Sequence, residues 1–335
     1  MDKLIVIVGI TGTQGNSVAQ TFLSLPGWRV RGVTRNLSST ASQTLISQGT
    51  EMVVGDSGDR PSLIAAFQDA HAIYGLTDFW GPFFSPSTAT IVSAKGQTTN
   101  EAAFDIEVVH GINIAEAAAQ IPSLERVVYS SLADVKRWSG GKYTWVYHFD
   151  GKAKVVEYIK ESLPDLAKKT SYLQIGEYVT NWNNNQVSLG QKKLPDGSFV
   201  LRKPHSGDAR IPMIWVERDT GTFVKALVEA EPGKTLLGYG SLIGWREYME
   251  TWGRIVGVEA KFEQIKPEEY LKEWPENLAR EVREGHLFHG EFGWHGGDPE
   301  VLHPNHFGIG GTSVEEYIRQ ADWTPMLEGR WKALM

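Results

Sequence analysis

Residues 4–15 read LIVIVGITGTQG, and an amphipathic run over residues 16–25 follows directly. The order of strand, glycine turn and helix predicts a dinucleotide site, because the free N–H groups and the dipole of the new helix favour a phosphate anion. Gly9 permits the tight turn, Gly12 lets the backbone approach a pyrophosphate, and Gly15 lets the helix pack closely on the strand. The spacing is G-x-x-G-x-x-G, so an ordinary strand–helix turn remains the alternative. The residues expected to hold the cofactor in this turn are Gly9, Thr11, Gly12, Thr13, Gln14 and Gly15.

The end of the second predicted strand indicates which dinucleotide is bound. Residues 28–33 read as a strand and are followed by Thr34, Arg35 and Asn36. An NAD site usually has Asp or Glu here to bond the ribose 2′-hydroxyl, whereas the donor fork of Arg35 suits a 2′-phosphate. We therefore predict NADP(H) rather than NAD(H). The alternative is that Arg35 is a solvated charge at the end of a strand.

Two further strand ends complete the predicted cofactor site. Asp56 and Ser57 follow the strand predicted over residues 51–54, and Leu76 and Thr77 stand at the end of the next strand. Ligands bind at the carboxyl ends of the strands in open parallel sheets. We therefore expect Asp56 and Ser57 near the adenine, and Leu76 and Thr77 also in contact with the cofactor.

Strand and helix patterns alternate through the first half of the chain. This alternation predicts an α/β fold with a doubly wound parallel sheet, the Rossmann architecture, and a smaller α+β second lobe. We assign residues 1–176 and 211–230 to the nucleotide-binding domain, with 211–230 as a further strand and helix that return to the sheet. Residues 177–210 and 231–335 are predicted to form the second lobe, which binds a substrate or a partner over the carboxyl edge of the sheet.

Composition excludes several classes of protein. The 335 residues are 41% hydrophobic and 22% charged, which is ordinary for a soluble globular enzyme. The net charge of −7 without a basic block argues against a nucleic-acid surface. The absence of cysteine excludes disulfides, a thiol nucleophile and a thiolate metal site. We find neither a membrane span nor a targeting peptide, and we expect a cytoplasmic protein, or a nuclear one if it is regulatory.

The run HFDGK at residues 148–152 carries the predicted chemistry. Its position is similar to that of the Tyr-x-x-x-Lys pair of short-chain dehydrogenases, in which one helical turn separates the two residues. Here that spacing joins His148 to Lys152. Tyr147 lies five residues before the lysine, about 140° around a continuous helix, so it serves only if the helix is broken between them.

Such a break is plausible because we predict the helix over residues 151–161, with Asp150 as its N-cap. Lys152 is then a cation near a helix N-terminus, where the dipole disfavours it, and should have a specific anionic or hydroxyl partner. Lys152 is the first catalytic candidate. The candidate proton donors are His148, Tyr147 and Ser131, the last at the end of a predicted strand. The alternatives are a solvated Lys152 and a purely structural His148.

The chain resembles the NmrA-like proteins, atypical members of the short-chain dehydrogenase/reductase superfamily that are related to isoflavone-reductase-like enzymes. Four segments carry the resemblance: residues 9–15, 107–118, 148–152 and 211–221. The resemblance implies NADP(H) binding by the glycine loop and Arg35. It also implies two functional branches: reductases of small aromatic or polyketide-like substrates, with the lysine beside the nicotinamide, and redox sensors that control transcription factors. Lys152 fits the first branch, and the missing tyrosine fits the second.

Aromatic residues suggest the kind of ligand. The chain has 12 Trp, and a wall of rings with few polar groups suits a flat apolar molecule. Core packing and a hydrophobic surface for a protein partner are the alternatives. The rings expected at the pocket are Phe79, Trp80, Phe83, Phe84, Trp182, Phe292 and Trp294.

Five histidines have no spacing typical of a metal site, and we predict no metal site: His286, His289, His295, His303 and His306.

The sequence thus favours an NADPH-dependent reductase of a carbonyl, imine or activated alkene on a small, mostly apolar molecule. A non-catalytic NADP(H) sensor that binds a regulatory protein is the alternative. The sequence leaves the oligomeric state open.

Overall fold

The computed structural model describes residues 2–181 and 190–329, and its first six strands follow the predicted order. Their bounds are β1 (Lys3–Val8), β2 (Trp28–Thr34), β3 (Glu51–Val54), β4 (Ala72–Gly75), β5 (Arg126–Ser131), β6 (Thr170–Ile175), β7 (Glu177–Tyr178), β8 (Lys192–Lys193), β9 (Phe199–Lys203), β10 (Ile211–Ile214), β11 (Thr235–Gly238), β12 (Ser241–Ile243), β13 (Ala260–Gln264) and β14 (Val301–Leu302).

The helices alternate with the strands in the first half and dominate the second half. Their bounds are α1 (Thr13–Leu23), α2 (Thr40–Ser47), α3 (Arg60–Ala66), α4 (Trp80–Phe84), α5 (Pro86–Lys95), α6 (Thr99–Ala118), α7 (Val135–Trp138), α8 (Tyr147–Ser162), α9 (Pro164–Ala167), α10 (Val216–Glu229), α11 (Trp245–Val256), α12 (Glu276–Phe292), α13 (Val314–Gln320) and α14 (Thr324–Leu327). Short 3₁₀ turns cover Val179–Asn181, Pro267–Glu269 and Pro304–Phe307.

Eight strands form the central sheet in the order β14-β11-β6-β5-β4-β1-β2-β3, and every neighbouring pair is parallel. The predicted doubly wound parallel sheet is confirmed. Side chains alternate between its faces: Leu4 and Val6 pack toward α6 and α8, whereas Ile5 and Ile7 pack toward α1 and α10. The strand order reverses between β1 and β4, so a crevice opens at the carboxyl ends of these two strands.

Of the strand and helix predicted over residues 211–230 to return to the central sheet, only the helix does so. Helix α10 does pack on α1, and a Cβ at Gly221 would lie 2.5 Å from the carbonyl oxygen of Ser17. Strand β10, however, joins a small sheet, β12-β10-β7, rather than the central one. The reason lies in β7, which a single residue separates from the end of β6 and which offers β10 a parallel partner. The place beside β6 in the central sheet is taken by β11.

Strands β11 and β14, which were assigned to the second lobe, therefore extend the central sheet. The rest of the second lobe contains the other small sheet, β13-β9-β8, together with α11 and α12. The division of the chain into two lobes stays a prediction. No helix in the described ranges combines the length and apolar character needed to cross a bilayer.

Helix α8 begins earlier than predicted. It starts at Tyr147 and runs without a break, so Asp150 is in its first turn and is not its N-cap. The carboxylate of Asp150 instead accepts the backbone N–H groups of Val135, at 2.7 Å, and Lys136, at 3.2 Å. Asp150 thus binds the first turn of the neighbouring α7, whose N-cap is Asp134. Tyr147 and Lys152 point to different sides of one continuous helix.

Candidate functional site

The glycine turn has the close packing that its sequence predicts. Gly9 has a φ of +66°, a left-handed conformation that favours glycine. A Cβ at Gly15 would overlap the Gly9 carbonyl oxygen and lie 2.7 Å from the Cα of Ile10. Gly12 is the N-cap of α1, and no side chain caps this helix. The first N–H groups of α1 are therefore suited to hold an anion such as a pyrophosphate.

Gln14 ties this turn to the neighbouring strands. Its Oε1 accepts hydrogen bonds from the hydroxyls of Tyr74, at 2.5 Å, and Ser130, at 2.9 Å. Its Nε2 donates to the hydroxyl of Tyr178 at 2.6 Å. The side chain predicted to contact a cofactor therefore also joins β4, β5 and β7 at the point where the strand order reverses.

The predicted contacts for the adenosine half lie at the same edge of the sheet. Arg35 and Asn36 are exposed after β2, and Arg35 forms no ion pair with any described residue. Asp56 and Ser57 follow β3, where the carbonyl of Ser57 accepts a hydrogen bond from Asn113 of α6 at 2.9 Å. This bond holds the β3–α3 loop beside the crevice.

The remaining predicted cofactor residues lie around the turn. Thr11 and Thr13 are exposed on either side of Gly12, and the backbone N–H of Asn36 donates to Thr34 Oγ1 at 3.2 Å. Leu76 at the end of β4 is the side chain that a Cβ on Gly9 would meet. The structure thus brings the predicted cofactor-binding residues that follow β1, β2, β3 and β4 together at the carboxyl edge of the sheet.

Lys152 has the specific anionic partner that its position requires. Its Nζ forms an ion pair with Glu107 of α6, whose side chain is fully buried, while 12% of the Lys152 side chain remains exposed. The same carboxylate oxygen accepts a hydrogen bond from Thr77 Oγ1 at 2.8 Å. Gly151 makes room for this pair, since a Cβ there would lie 2.7 Å from Glu107 Oε2.

His148, one helical turn before Lys152, contacts a second buried carboxylate, that of Glu281. Its Nδ1 lies 2.6 Å from Oε1 of Glu281 on α12, and its backbone N–H donates to the same oxygen at 2.9 Å. The other oxygen accepts a hydrogen bond from Asn100 of α6 at 2.8 Å. When Nδ1 donates to Glu281, Nε2 is the ring nitrogen that stays available for another partner.

One member of each pair lines a cavity of about 500 Å³ between the carboxyl edge of the sheet and α12. Lys152 and His148 line it, and so does Ser131, whose buried Oγ has no hydrogen-bond partner among residues 2–181 and 190–329. Tyr147 does not line it: its ring packs on Phe104 and Trp145. The continuous helix separates Tyr147 from Lys152, so we no longer assign Tyr147 as a proton donor.

Aromatic rings form much of the cavity wall. The predicted rings that do line it are Phe79, Trp80, Phe84 and Trp294. Phe83 is buried behind them, Phe292 is not among the lining residues, and Trp182 lies outside the described residues.

Sequence reasoning missed Glu281 and did not place Tyr178, His286 or His289 at the cavity. Glu281 holds His148, and Tyr178, His286 and His289 line the wall. Burial raises the pKa of Tyr178 to about 12 and lowers the pKa values of His286 and His289 well below the ordinary value of 6.5. The sequence offered His286 and His289 only as possible metal ligands, and their spacing did not support that interpretation. In residues 2–181 and 190–329, no group of three or more metal-ligating side chains is found.

Sheet order, glycine turn and crevice together define a Rossmann-type dinucleotide fold. The chain belongs to the NmrA-like family, whose model matches residues 1–318. Among its relatives is the NmrA-like family domain-containing oxidoreductase FrzB of Cladobotryum sp, 28% identical over 279 residues, which are 80% of this chain and 77% of the relative. The corresponding oxidoreductase cpsB of Aspergillus campestris is 30% identical over 241 residues, 68% and 64% of the two chains.

Solved structures share the fold at low identity. NmrA, a negative transcriptional regulator solved in complex with NADP, superposes with a TM-score of 0.75 at 18% identity, covering 98% of this chain and 97% of that one. The NADPH-dependent quinone oxidoreductase QOR2 of Escherichia coli, solved with NADPH, superposes with a TM-score of 0.66 at 17% identity, covering 94% of this chain and 98% of that one.

Proposed function

We propose that this chain binds NADP(H) and reduces a carbonyl, imine or activated alkene on a small, mostly apolar molecule. The observation that carries the proposal is the convergence of three features on one cavity: the glycine-turn edge, the Lys152–Glu107 pair and the His148–Glu281 pair. Relatives named as oxidoreductases and neighbours solved with NADP or NADPH support it.

The glycine turn and Arg35 would hold the cofactor. The uncapped N-terminus of α1 receives the pyrophosphate, and the exposed guanidinium of Arg35 receives the 2′-phosphate. Asp56 and Ser57 would lie near the adenine, and Leu76 and Thr77 would also contact the cofactor. Bound NADPH supplies a hydride from its nicotinamide.

The side chains of the cavity then supply orientation and a proton. An ammonium has three N–H donors, and Glu107 takes one of those of Lys152, so the others can hold a ribose hydroxyl or the substrate oxygen. His148 can release a proton from Nε2 to the reduced oxygen or nitrogen, because Glu281 stabilises the charged ring. Ser131 is the other proton-donor candidate at the wall.

A turnover assay tests the proposal. Purified protein is mixed with NADPH and a panel of small aromatic ketones, cyclic imines and enones, and NADPH absorbance and reduced product are measured. Substrate-dependent oxidation of NADPH with equal product formation is expected. No oxidation with any member of the panel would count against a reductase.

A non-catalytic redox sensor acting through a regulatory protein is the second candidate. Two observations favour it: one turn before Lys152 stands a histidine instead of a tyrosine, and the fold likeness to the regulator NmrA is high. A sensor must distinguish NADP⁺ from NADPH, since a ligand shifts a state only through differential affinity. Calorimetry with both redox forms tests whether the protein distinguishes them.

The cytoplasmic location and the absence of a nucleic-acid surface remain predictions for either function.

A further inference from the structure

The imidazole of His110 on α6 lies beside the loop that joins β3 to α3. A Cβ built on Gly58 of this loop would be 3.4 Å from His110 Nε2 and 3.3 Å from Asp56 Oδ1, so the ring and the carboxylate face the same small region. Three residues further along α6, Asn113 donates to the carbonyl of Ser57 at 2.9 Å. This bond fixes the helix, and with it the position of His110, against the loop.

Arg35 reaches the same region from β2. The strand register pairs Thr34 with Val54, and the backbone N–H of Gly55 donates to the carbonyl of Thr34 at 3.0 Å. Arg35 is the next residue after Thr34, and Asp56 is the next after Gly55, so both stand where these paired strands end. These are the residues at which we place the adenosine end of the cofactor, and His110 therefore belongs to the surroundings of that end.

The ring of His110 can accept a proton. It forms no hydrogen bond and no ion pair within the described ranges 2–181 and 190–329, and it is only partly buried. Burial lowers its pKa below the ordinary value of 6.5, so the ring is neutral at neutral pH. The charged groups that act on it are Asp56 of the β3–α3 loop, Arg35 after β2, Glu107 on α6 and Asp78 after β4.

Among these four groups, Arg35 is the one whose charge opposes protonation of the ring. The carboxylates favour protonation, and the charge of Glu107 is already compensated by Lys152. On α3, which also packs on α6, Arg60 is paired with Glu116. Arg35 has no ion-pair partner in the part of the chain that the structure describes, so its charge is the one that an anionic ligand can cancel.

A 2′-phosphate changes the charge balance around His110. A phosphate monoester carries about −1.5 to −2 charges at neutral pH, and one held by Arg35 cancels the positive charge and adds a negative one. NAD(H) has a hydroxyl at this position and leaves the charge of Arg35 in place. Any loss of water that the adenine causes is common to both cofactors, so the difference between them at His110 comes from the phosphate.

We infer that His110 is a specificity-determining residue of the cofactor site, which takes up a proton from solvent when NADP(H) binds and not when NAD(H) binds. The protonated imidazole adds a second positive charge near the phosphate. A ligand that favours the protonated form binds more tightly at low pH, so discrimination between the two cofactors is stronger in acid than in alkaline solution. The inference rests on the proposed position of the 2′-phosphate at Arg35. It does not depend on turnover and holds equally for a reductase and a sensor.

Calorimetry of the full chain with NADP⁺ and NAD⁺ tests the inference. Each titration is made in two buffers of different ionisation enthalpy, because the dependence of the heat on the buffer gives the number of protons taken up. At a pH near the ordinary pKa of histidine, the wild type should take up more protons with NADP⁺ than with NAD⁺. The 2′-phosphate itself titrates in this range, so each cofactor is compared between the wild type and variants, where its own titration cancels.

Variants locate the titrating group. His110→Gln keeps a polar side chain and removes the titration, so the extra proton uptake with NADP⁺ should disappear. The ratio of NADP⁺ to NAD⁺ affinity should fall about threefold at about pH 6 and stay unchanged at about pH 8. His110→Asn is the second variant if His110→Gln melts at a lower temperature than the wild type. His306→Gln, at an exposed histidine after β14 and so at the opposite edge of the sheet from β3, should keep the extra uptake.

The outcomes separate this inference from the proposed cofactor site. Equal proton uptake with the two cofactors, or an extra uptake with NADP⁺ that survives both His110 variants, would overturn the inference. A preference of the wild type for NADP⁺ without extra uptake would remove the role of His110 and leave that of Arg35. Equal affinities of the wild type for NADP⁺ and NAD⁺ would remove the role of Arg35, and the inference with it.

Discussion

Lys152 on α8, which lines the cavity, forms an ion pair with Glu107 on α6, although the two residues are 45 residues apart in the chain. Two glycines allow it. A Cβ at Gly111 would overlap Val155, and a Cβ at Gly151 would press on the Glu107 carboxylate. The two helices therefore approach closely enough for a fully buried carboxylate to reach the lysine, which keeps the ammonium facing the cavity.

The role of Lys152 is tested by Lys152→Ala. We expect kcat to fall by about 10²–10⁴, the range for a residue that transfers or positions a proton, with NADPH affinity reduced much less. Steady-state kinetics and calorimetry measure the two effects. Lys154→Ala removes an exposed lysine from the same helix and should leave kcat unchanged. Intact turnover in Lys152→Ala would contradict the mechanism while leaving the reductase assignment in place.

Cofactor preference is tested by Arg35→Ala. The wild type should bind NADPH more tightly than NADH by about 1.5–3 kcal/mol, since a guanidinium forms charge-assisted hydrogen bonds with the 2′-phosphate. The variant should lose this preference and bind NADH almost as before. Calorimetry with both cofactors measures this preference, and Arg29→Ala, at an exposed arginine on the preceding strand β2, is the charge-matched control. Equal affinities in the wild type would exclude this role for Arg35.

The glycine turn is tested by Gly15→Ala. The added Cβ would overlap the Gly9 carbonyl oxygen and lie 2.7 Å from the Cα of Ile10, so the turn or α1 must shift. We expect a loss of about 1–3 kcal/mol in the free energy of unfolding, with weaker NADPH binding. Gly310→Ala, where a Cβ meets no atom within 4 Å, should change stability by less than about 0.5 kcal/mol. Urea denaturation of both variants makes the comparison, and similar losses would show that close packing at Gly15 is unimportant.

The buried Lys203 predicts a dependence of stability on pH. Burial lowers its pKa from 10.5 to about 7 in the folded chain. Between these values the unfolded chain binds one more proton than the folded chain, so this residue makes stability rise with pH across that window. Lys203→Met removes this contribution. Relative to the wild type, the variant should therefore lose stability as pH rises from about 7 to about 10.

Chemical denaturation of wild type and Lys203→Met at several pH values measures this difference. Lys192→Met, at an exposed lysine, should follow the wild type throughout. A constant difference between Lys203→Met and the wild type would mean that Lys203 titrates normally.

Local patterns predicted the parallel sheet and the turn, but not the start of α8 or the partner of β10. Asp150 looks like an N-cap in sequence, but its carboxylate instead accepts backbone N–H groups at the start of the neighbouring α7. Strand β10 has the apolar composition of a central strand, and its four residues are all buried. Its place in the small sheet depends on β7, which pairs with it. Sequence periodicity reports burial and spacing along one element, and it does not report which element supplies the partner.

Residues 4–15 by themselves determine the strand, the turn and the helix start, because the glycine conformations and the packing of α1 on β1 involve residues close in the chain. The spacing of His148 and Lys152 likewise follows from helix geometry alone. Only the tertiary structure decides what these side chains contact. Glu107 is 45 residues from Lys152, and Glu281 is 133 residues from His148, so no local pattern could pair them. Burial of both carboxylates requires the packed helices α6, α8 and α12, and that packing exists only in the folded chain.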